Sequence, residues 1–159
     1  GIGSLNPELK NASIEMDTVR TNGLGWIQMV GEAYRYFSEQ GYGHIACITS
    51  IAGTKGRSPA LAYSATKAFQ QNYVQALEMQ ACHRKLDIHF TDIRPGFVKT
   101  PLLKGSHAFP MQLSVEPVAK SIVKAICRNR HVKVIDWRWH ILTIAWRCLP
   151  RWIWRHISL

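Results

Sequence analysis

Apolar residues recur along this chain in two alternating rhythms. From Glu15 to about Gln40, Val19, Trp26, Val30, Ala33 and Phe37 return at helical spacing. Gly41 supplies the stop. The run His44-Ile-Ala-Cys-Ile-Thr-Ser50 is β-rich and opens into Ile51-Ala-Gly53, as a buried parallel strand running into a loop does. A long helix is predicted from Leu61 to about Arg84, with Ala65, Ala68, Ala76 and Leu77 as its close-packing face. Asp87–Ile93 reads as a second strand broken by Arg94-Pro-Gly96. Residues 101–114 hold two prolines and a glycine, which suits a loop. Ser114 then reads as an N-cap with Pro117 in the first turn, and Val118, Ile122, Ala125 and Ile126 as the buried stripe of the helix that follows. His131–Ile135 is a third strand. Strands alternating with helices predict an α/β fold with a parallel sheet, in which ligands bind at the carboxyl ends of the strands.

Chemistry collects at that rim. Tyr63 and Lys67 stand four residues apart, so a helix raises both from one face. A fixed ammonium beside a phenol favours the phenolate and brings the group towards use as an acid or base. Ser50, thirteen positions earlier, ends the first strand with a hydroxyl.

In order, spacing and context these residues resemble the short-chain dehydrogenases/reductases. The matching positions are Ser50, the Tyr63-Ser-Ala-Thr-Lys67 segment, an upstream Asn22, and Pro95, Gly96, Val98 and Thr100 in a Pro-Gly-x-Val-x-Thr segment. Gly1-Ile-Gly-Ser4 is similar to the end of the family's Asn-Asn-Ala-Gly stretch. The resemblance implies a Rossmann-like doubly wound parallel sheet, here only its later strands and helices. It also implies NAD or NADP as cofactor, and Asn22, Ser50, Tyr63 and Lys67 as the catalytic set. Tyr63, Lys67, Pro95, Gly96, Val98 and Thr100 would meet the cofactor. By position, 101–114 resembles the substrate-covering loop, so Leu102, Leu103, Phe109 and Met111 become an apolar lid; a connection packed by its own hydrophobes is the equal alternative. Asn22 is either a kink or packing residue of its helix or, as the resemblance implies, the holder of a relay water reaching Lys67. A homo-oligomer formed through the two long helices is implied in the same way.

The family's opening strand, Gly-rich phosphate turn and ribose-reading residue have no counterpart. Gly23-Leu-Gly25 lies inside a helical pattern and Gly41-Tyr-Gly43 ends one. The chain is therefore expected to be either part of a longer reading frame or a natural truncation, with a hydrophobic sheet edge left open. A catalytically silent remnant acting as a binding or membrane-associated module is the alternative function.

Composition adds a second region. All of the net charge of +10 falls in residues 93–159. There Trp137, Trp139, Trp146, Trp152 and Trp154 alternate with Arg138, Arg147, Arg151 and Arg155, and Pro150 is expected to split the helix. We divide the chain into 1–136, the catalytic part, and a basic, Trp-rich tail, 137–159. The longest uncharged run of the tail, Trp139 to Trp146, is eight residues, against about 20 for a membrane span. Two readings stay open: an amphipathic helix in a membrane interface, and an element packing its tryptophans on the sheet or a partner subunit. No nucleic-acid motif accompanies the charge, so nucleic acid is not an expected partner. Four scattered cysteines and seven scattered histidines show no metal-ligand spacing. No secretory leader is evident in the opening residues, and free thiols suit a reducing cytoplasm. The expected activity is hydride transfer between a nicotinamide and a carbonyl or secondary alcohol of a partly apolar substrate, with Ser50, Leu102, Leu103 and Phe109 on the substrate side.

Overall fold

A computed structural model describes residues 1–6, 8–58, 60–103 and 109–157, with Leu103 described in its backbone alone. The first helical run is not regular. α1 (Ala12–Val19) passes through one wide π-helical turn, Arg20–Gly25, into α2 (Trp26–Gln40). Such bulges re-aim backbone groups within a helix, and this one surrounds the buried Asn22. Asn11 caps α1 through its side chain, and Gly41 ends α2 in the left-handed conformation, where glycine pays no Cβ penalty.

β1 (Tyr42–Ile48), β2 (Asp87–Arg94) and β3 (Val132–Val134) form a parallel sheet in the order β1-β2-β3. α3 (Leu61–His83) connects the first pair and α4 (Val115–Cys127) the second. Side chains alternate across β2, so its two faces serve different cores. Ile88 and Phe90 join Ile45 and Cys47 of β1 under Val30 and Tyr34 of α2 and Val74, Leu77 and Ala81 of α3. Ile93 faces the other way, with Val118 of α4 and Ile135. This is a Rossmann-like α/β arrangement, partial in extent. On the α4 side of β1, Ala46 and Ile48 remain exposed, as an uncovered strand requires.

The N-terminus of α3 is secured from a distance. Ala60 provides no side-chain cap, and the Glu15 carboxylate of α1 accepts from the Ala62 N–H at 2.8 Å. An anion at that end satisfies an orphan donor and suits the helix dipole. Ser114 occupies the N-cap position of α4 as expected, although its side chain makes no capping bond.

Beyond β3, α5 (Trp137–Cys148) and α6 (Arg151–Trp154) are separated by Pro150. α5 buries Trp139, Thr143 and Trp146, and the two tryptophans pack with Ile51, Phe97, Met111 and Leu142. Trp154 Nε1 donates to the Gly56 carbonyl at 2.8 Å, and Lys55 Nζ donates to the Leu149 carbonyl at 2.8 Å. The tail's inner face therefore packs on the loop that follows Ser50.

Candidate active site

Three elements converge at the carboxyl ends of β1 and β2. Ser50 lies two residues past the end of β1, and its Oγ accepts from the Ala52 N–H at 3.1 Å, starting a short 3-10 turn, Ile51–Thr54. The Ile51 N–H reaches the Pro95 carbonyl at 3.1 Å, joining this turn to the Pro-Gly loop. Gln71 Nε2 donates to the Ser50 carbonyl at 2.6 Å and ties the same turn to α3. Tyr63 and Lys67 rise from the first turns of α3, with Lys67 Nζ 5.7 Å from the centre of the Tyr63 ring. Gly3 lies against that ring: a Cβ there would stand 2.8 Å from Tyr63 Cδ2. Only glycine fits this approach.

The expectation that the neighbouring ammonium leaves the phenol easier to ionise needs correction. Lys67 Nζ donates to the Ile48 carbonyl at 3.1 Å and to Gln70 Oε1 at 3.0 Å. Burial pushes its pKa down to about 8, and the Asp92 carboxylate followed by the Cys47 thiol opposes that shift. Tyr63 moves upward, not downward, because burial outweighs the help its phenolate receives from the Ser50 hydroxyl and the Arg57 guanidinium. Desolvation dominates both groups. One charge that favours the phenolate, the Arg57 guanidinium, lies outside the expected catalytic set.

Asn22 is buried and fully engaged. Its Oδ1 accepts from the Ile2 N–H at 2.8 Å, and its Nδ2 donates to the Ile2 carbonyl at 2.6 Å. Its own carbonyl accepts from Gln70 Nε2 at 2.8 Å. The side chain thus ties the opening residues down, while its carbonyl is connected to Lys67 through Gln70.

On the β2 side, Phe97 O and Lys99 N form a short ladder with Leu113, at 2.8 and 3.0 Å. The peptide groups of Val98 itself take no part in it. Gly96 lies hard against Trp139: a Cβ would stand 2.2 Å from Trp139 Nε1. Thr100 and Leu102 are exposed. Phe109 stacks on Phe97 with ring centres 4.6 Å apart, and Phe97 meets Trp139 edge-on at 5.5 Å. Of the expected lid, Lys104–Ala108 and the Leu103 side chain lie outside the described residues. A cleft of about 560 Å³ opens beside Gly53, Lys55, Arg57, Leu61, Ser64 and Ala68. Neither Ser50 nor Tyr63 lines it, so it lies beside these two side chains rather than over them.

Four contributors were not anticipated from the sequence: Arg57, Gln70, Asp92 and Trp139. Gln70 falls seven residues after Tyr63 and so shares its helical face; that spacing is the one signal that was available. Gly23 and Gly25 belong to the π-helical turn, and Gly41 is a helix C-cap. Neither pair forms a phosphate cradle.

Similarity to known proteins agrees with this geometry. The family model for short chain dehydrogenase matches residues 2–110. An uncharacterized oxidoreductase of Mycobacterium tuberculosis is 28% identical over 117 residues, which is 74% of this chain and 46% of that protein. One from Myxococcus xanthus is 28% identical over 134 residues, 83% of this chain and 52% of that protein. The chain spans about half the length of these curated relatives. Among solved structures, a short-chain dehydrogenase from Sphingobium yanoikuyae in complex with NADPH superimposes with a TM-score of 0.78 at 18% identity, covering 100% of this chain and 63% of the other. One from Burkholderia cenocepacia in complex with NADP also gives 0.78, at 15% identity, covering 93% of this chain and 63% of the other. The protein is a member of the short-chain dehydrogenase family.

Proposed function

We propose that this chain carries the catalytic half of an NAD- or NADP-dependent oxidoreductase that moves a hydride between a nicotinamide and a carbonyl or secondary alcohol. The observation behind this reading is the convergence of Ser50, Tyr63 and Lys67 where β1 and β2 end. Two unsatisfied donors suit a nicotinamide riboside there. Lys67 has three N–H groups and two protein acceptors, and the buried Trp139 Nε1 beside Gly96 has no partner among the described residues. The NADP and NADPH complexes of the two structural neighbours also support a nicotinamide cofactor.

When bound, NAD or NADP supplies or takes the hydride. The Ser50 hydroxyl orients the substrate oxygen. The Tyr63 hydroxyl gives that oxygen a proton in reduction and removes it in oxidation. With its pKa raised, the phenol is protonated at neutral pH and is ready as the acid. Lys67 would hold the ribose with its remaining N–H. Pro95, Gly96, Val98 and Thr100 would meet the carboxamide, while Leu102, Leu103 and Phe109 would serve the substrate side, the Leu103 side chain lying outside the described residues. In a full-length version of the protein, Tyr63→Phe tests the reading: turnover of a ketone panel with NADH or NADPH should vanish while cofactor binding persists. Retained turnover refutes the assignment.

A homo-oligomer built on α2 and α3 is part of the same proposal. It is supported by the exposed Met29 and Phe69 beside the Trp26–Phe69–Tyr73 aromatic cluster.

The tail supports a second role, docking on an anionic membrane surface. Trp137, Ile141 and Ile144 form an outward stripe on α5, opposite the face that carries Trp139 and Trp146. Trp137 is 71% exposed, and Trp152 on α6 is 66% exposed. Arg147, Arg151 and Arg155 are also exposed, and residues 137–159 contain no acidic residue. Tryptophan with arginine suits the headgroup region. Among the described residues no helix is long and apolar enough to cross a membrane. Flotation with phosphatidylserine vesicles should capture the wild type and lose the Trp137→Ala/Trp152→Ala double variant. Both tryptophans lie outside the core, so equal capture of the two proteins removes the idea.

A further inference from the structure

Gln70 is 1% exposed and spans two groups of the site. Its Oε1 accepts from Lys67 Nζ at 3.0 Å, and its Nε2 donates to the Asn22 carbonyl at 2.8 Å. The partners themselves dictate this orientation. An ammonium only donates, so the amide oxygen must face Lys67; a carbonyl only accepts, so the amide nitrogen must face Asn22. The two bonds are mutually consistent.

A carboxamide in this position differs from a water or a hydroxyl. Water can take a proton on one side and release one on the other. An amide nitrogen is neither basic nor acidic enough to do so near neutral pH, and passing a proton through it would leave an imidic acid. Resting on the oxidoreductase reading above, we infer that Gln70 is a positioning residue that clamps the Lys67 ammonium to the Asn22 turn and closes the proton route on that side. The proton exchanged by Tyr63 then enters and leaves from the side of the cofactor and substrate.

The charged and titratable surroundings of Lys67 are few. β2 brings Asp92, itself paired with Arg94, β1 brings the Cys47 thiol, and α3 brings Tyr63. The π-helical turn contributes the neutral Asn22. Gln70 is therefore the neutral acceptor whose replacement isolates its own effect.

The test uses two variants. Gln70→Glu replaces the amide oxygen with a carboxylate, and Gln70→Met keeps the volume but removes the acceptor. NMR titration follows the Lys67 ε-methylene signal in each, assigned by its loss in Lys67→Met. Lys67 should titrate higher in Gln70→Glu and lower in Gln70→Met, each by about one pH unit. In turnover assays the pH–rate limb should move in parallel. A packing role alone would lower the unfolding temperature and leave the Lys67 titration unmoved, and that result in Gln70→Met overturns the clamp. The NMR readout does not depend on catalysis. A shifted Lys67 titration in proteins that reduce no carbonyl would preserve the clamp and sink the hydride-transfer reading instead.

Discussion

Thr49 Oγ1 donates to Asp92 Oδ1 across 2.5 Å, binding the residue before Ser50 to the strand that ends at the Pro-Gly loop. The other Asp92 oxygen takes both Arg94 Nε, at 2.7 Å, and an Arg94 terminal nitrogen, at 2.6 Å. One carboxylate, 2% exposed, thereby pins both loops that carry the site. Asp92→Asn removes the charge and leaves the buried Arg94 without its counter-ion. Breaking a buried pair from one side costs about 3–5 kcal/mol, and urea unfolding should register a loss of that order. A loss below about 1 kcal/mol, the level of a surface pair, would mean that the strap contributes little.

Lys67 makes stability depend on pH. Its amine titrates near 8 in the fold, against 10.5 when unperturbed. Between those values the unfolded chain holds a proton that the folded one has released, so stability rises with pH across that window. The cost of burying the ammonium is fully present below it. Urea midpoints measured from about pH 7 to about pH 9, below the range in which the raised Cys47 thiol acts fully in the opposite sense, should climb in the wild type and climb less in Lys67→Met. Equal slopes would show that the ammonium is solvated.

Arg57 acts on the phenol from outside the expected catalytic set. Its guanidinium lies 5.3 Å from the centre of the Phe97 ring and favours the Tyr63 phenolate. In Arg57→Gln the Tyr63 pKa should rise further, because burial then meets less opposition. Ultraviolet titration of phenol ionisation, with Tyr63→Phe as the subtraction control, reads the shift. A fall in the Tyr63 pKa would contradict the electrostatic account.

Trp139 and Gly96 test the packing of the tail. Trp139 is 2% exposed, and truncating a buried tryptophan to alanine typically costs about 3–5 kcal/mol. Gly96→Ala should also destabilise, since its methyl would collide with the indole. Trp152→Ala, at an exposed position, should change unfolding by less than about 0.5 kcal/mol. Similar losses for Trp139→Ala and Trp152→Ala would argue against the core described around Ile51 and Phe97.

Much of the scaffold was legible because its signals are local. Gly41 stops a helix through its own backbone freedom, Pro150 splits the tail through its missing N–H, and Tyr63 and Lys67 share a face through helical spacing. The three strands followed from apolar runs bounded by breakers. The π-helical turn around Asn22 was less accessible. It exchanges one regular hydrogen-bond spacing for another over six residues, and residue type alone does not reveal that exchange.

What the sequence determined by itself was the family of the chain and the identity of the groups at the rim, because those depend on residue types at short, countable separations. Tertiary structure decided what surrounds each group. It turned the Lys67 ammonium towards Ile48 and Gln70, raised the Tyr63 phenol, joined Thr49 to Asp92 across 43 positions, and seated Trp139 on Gly96. Desolvation and long-range hydrogen bonds depend on which distant segments meet, and that is settled only when the chain closes on itself.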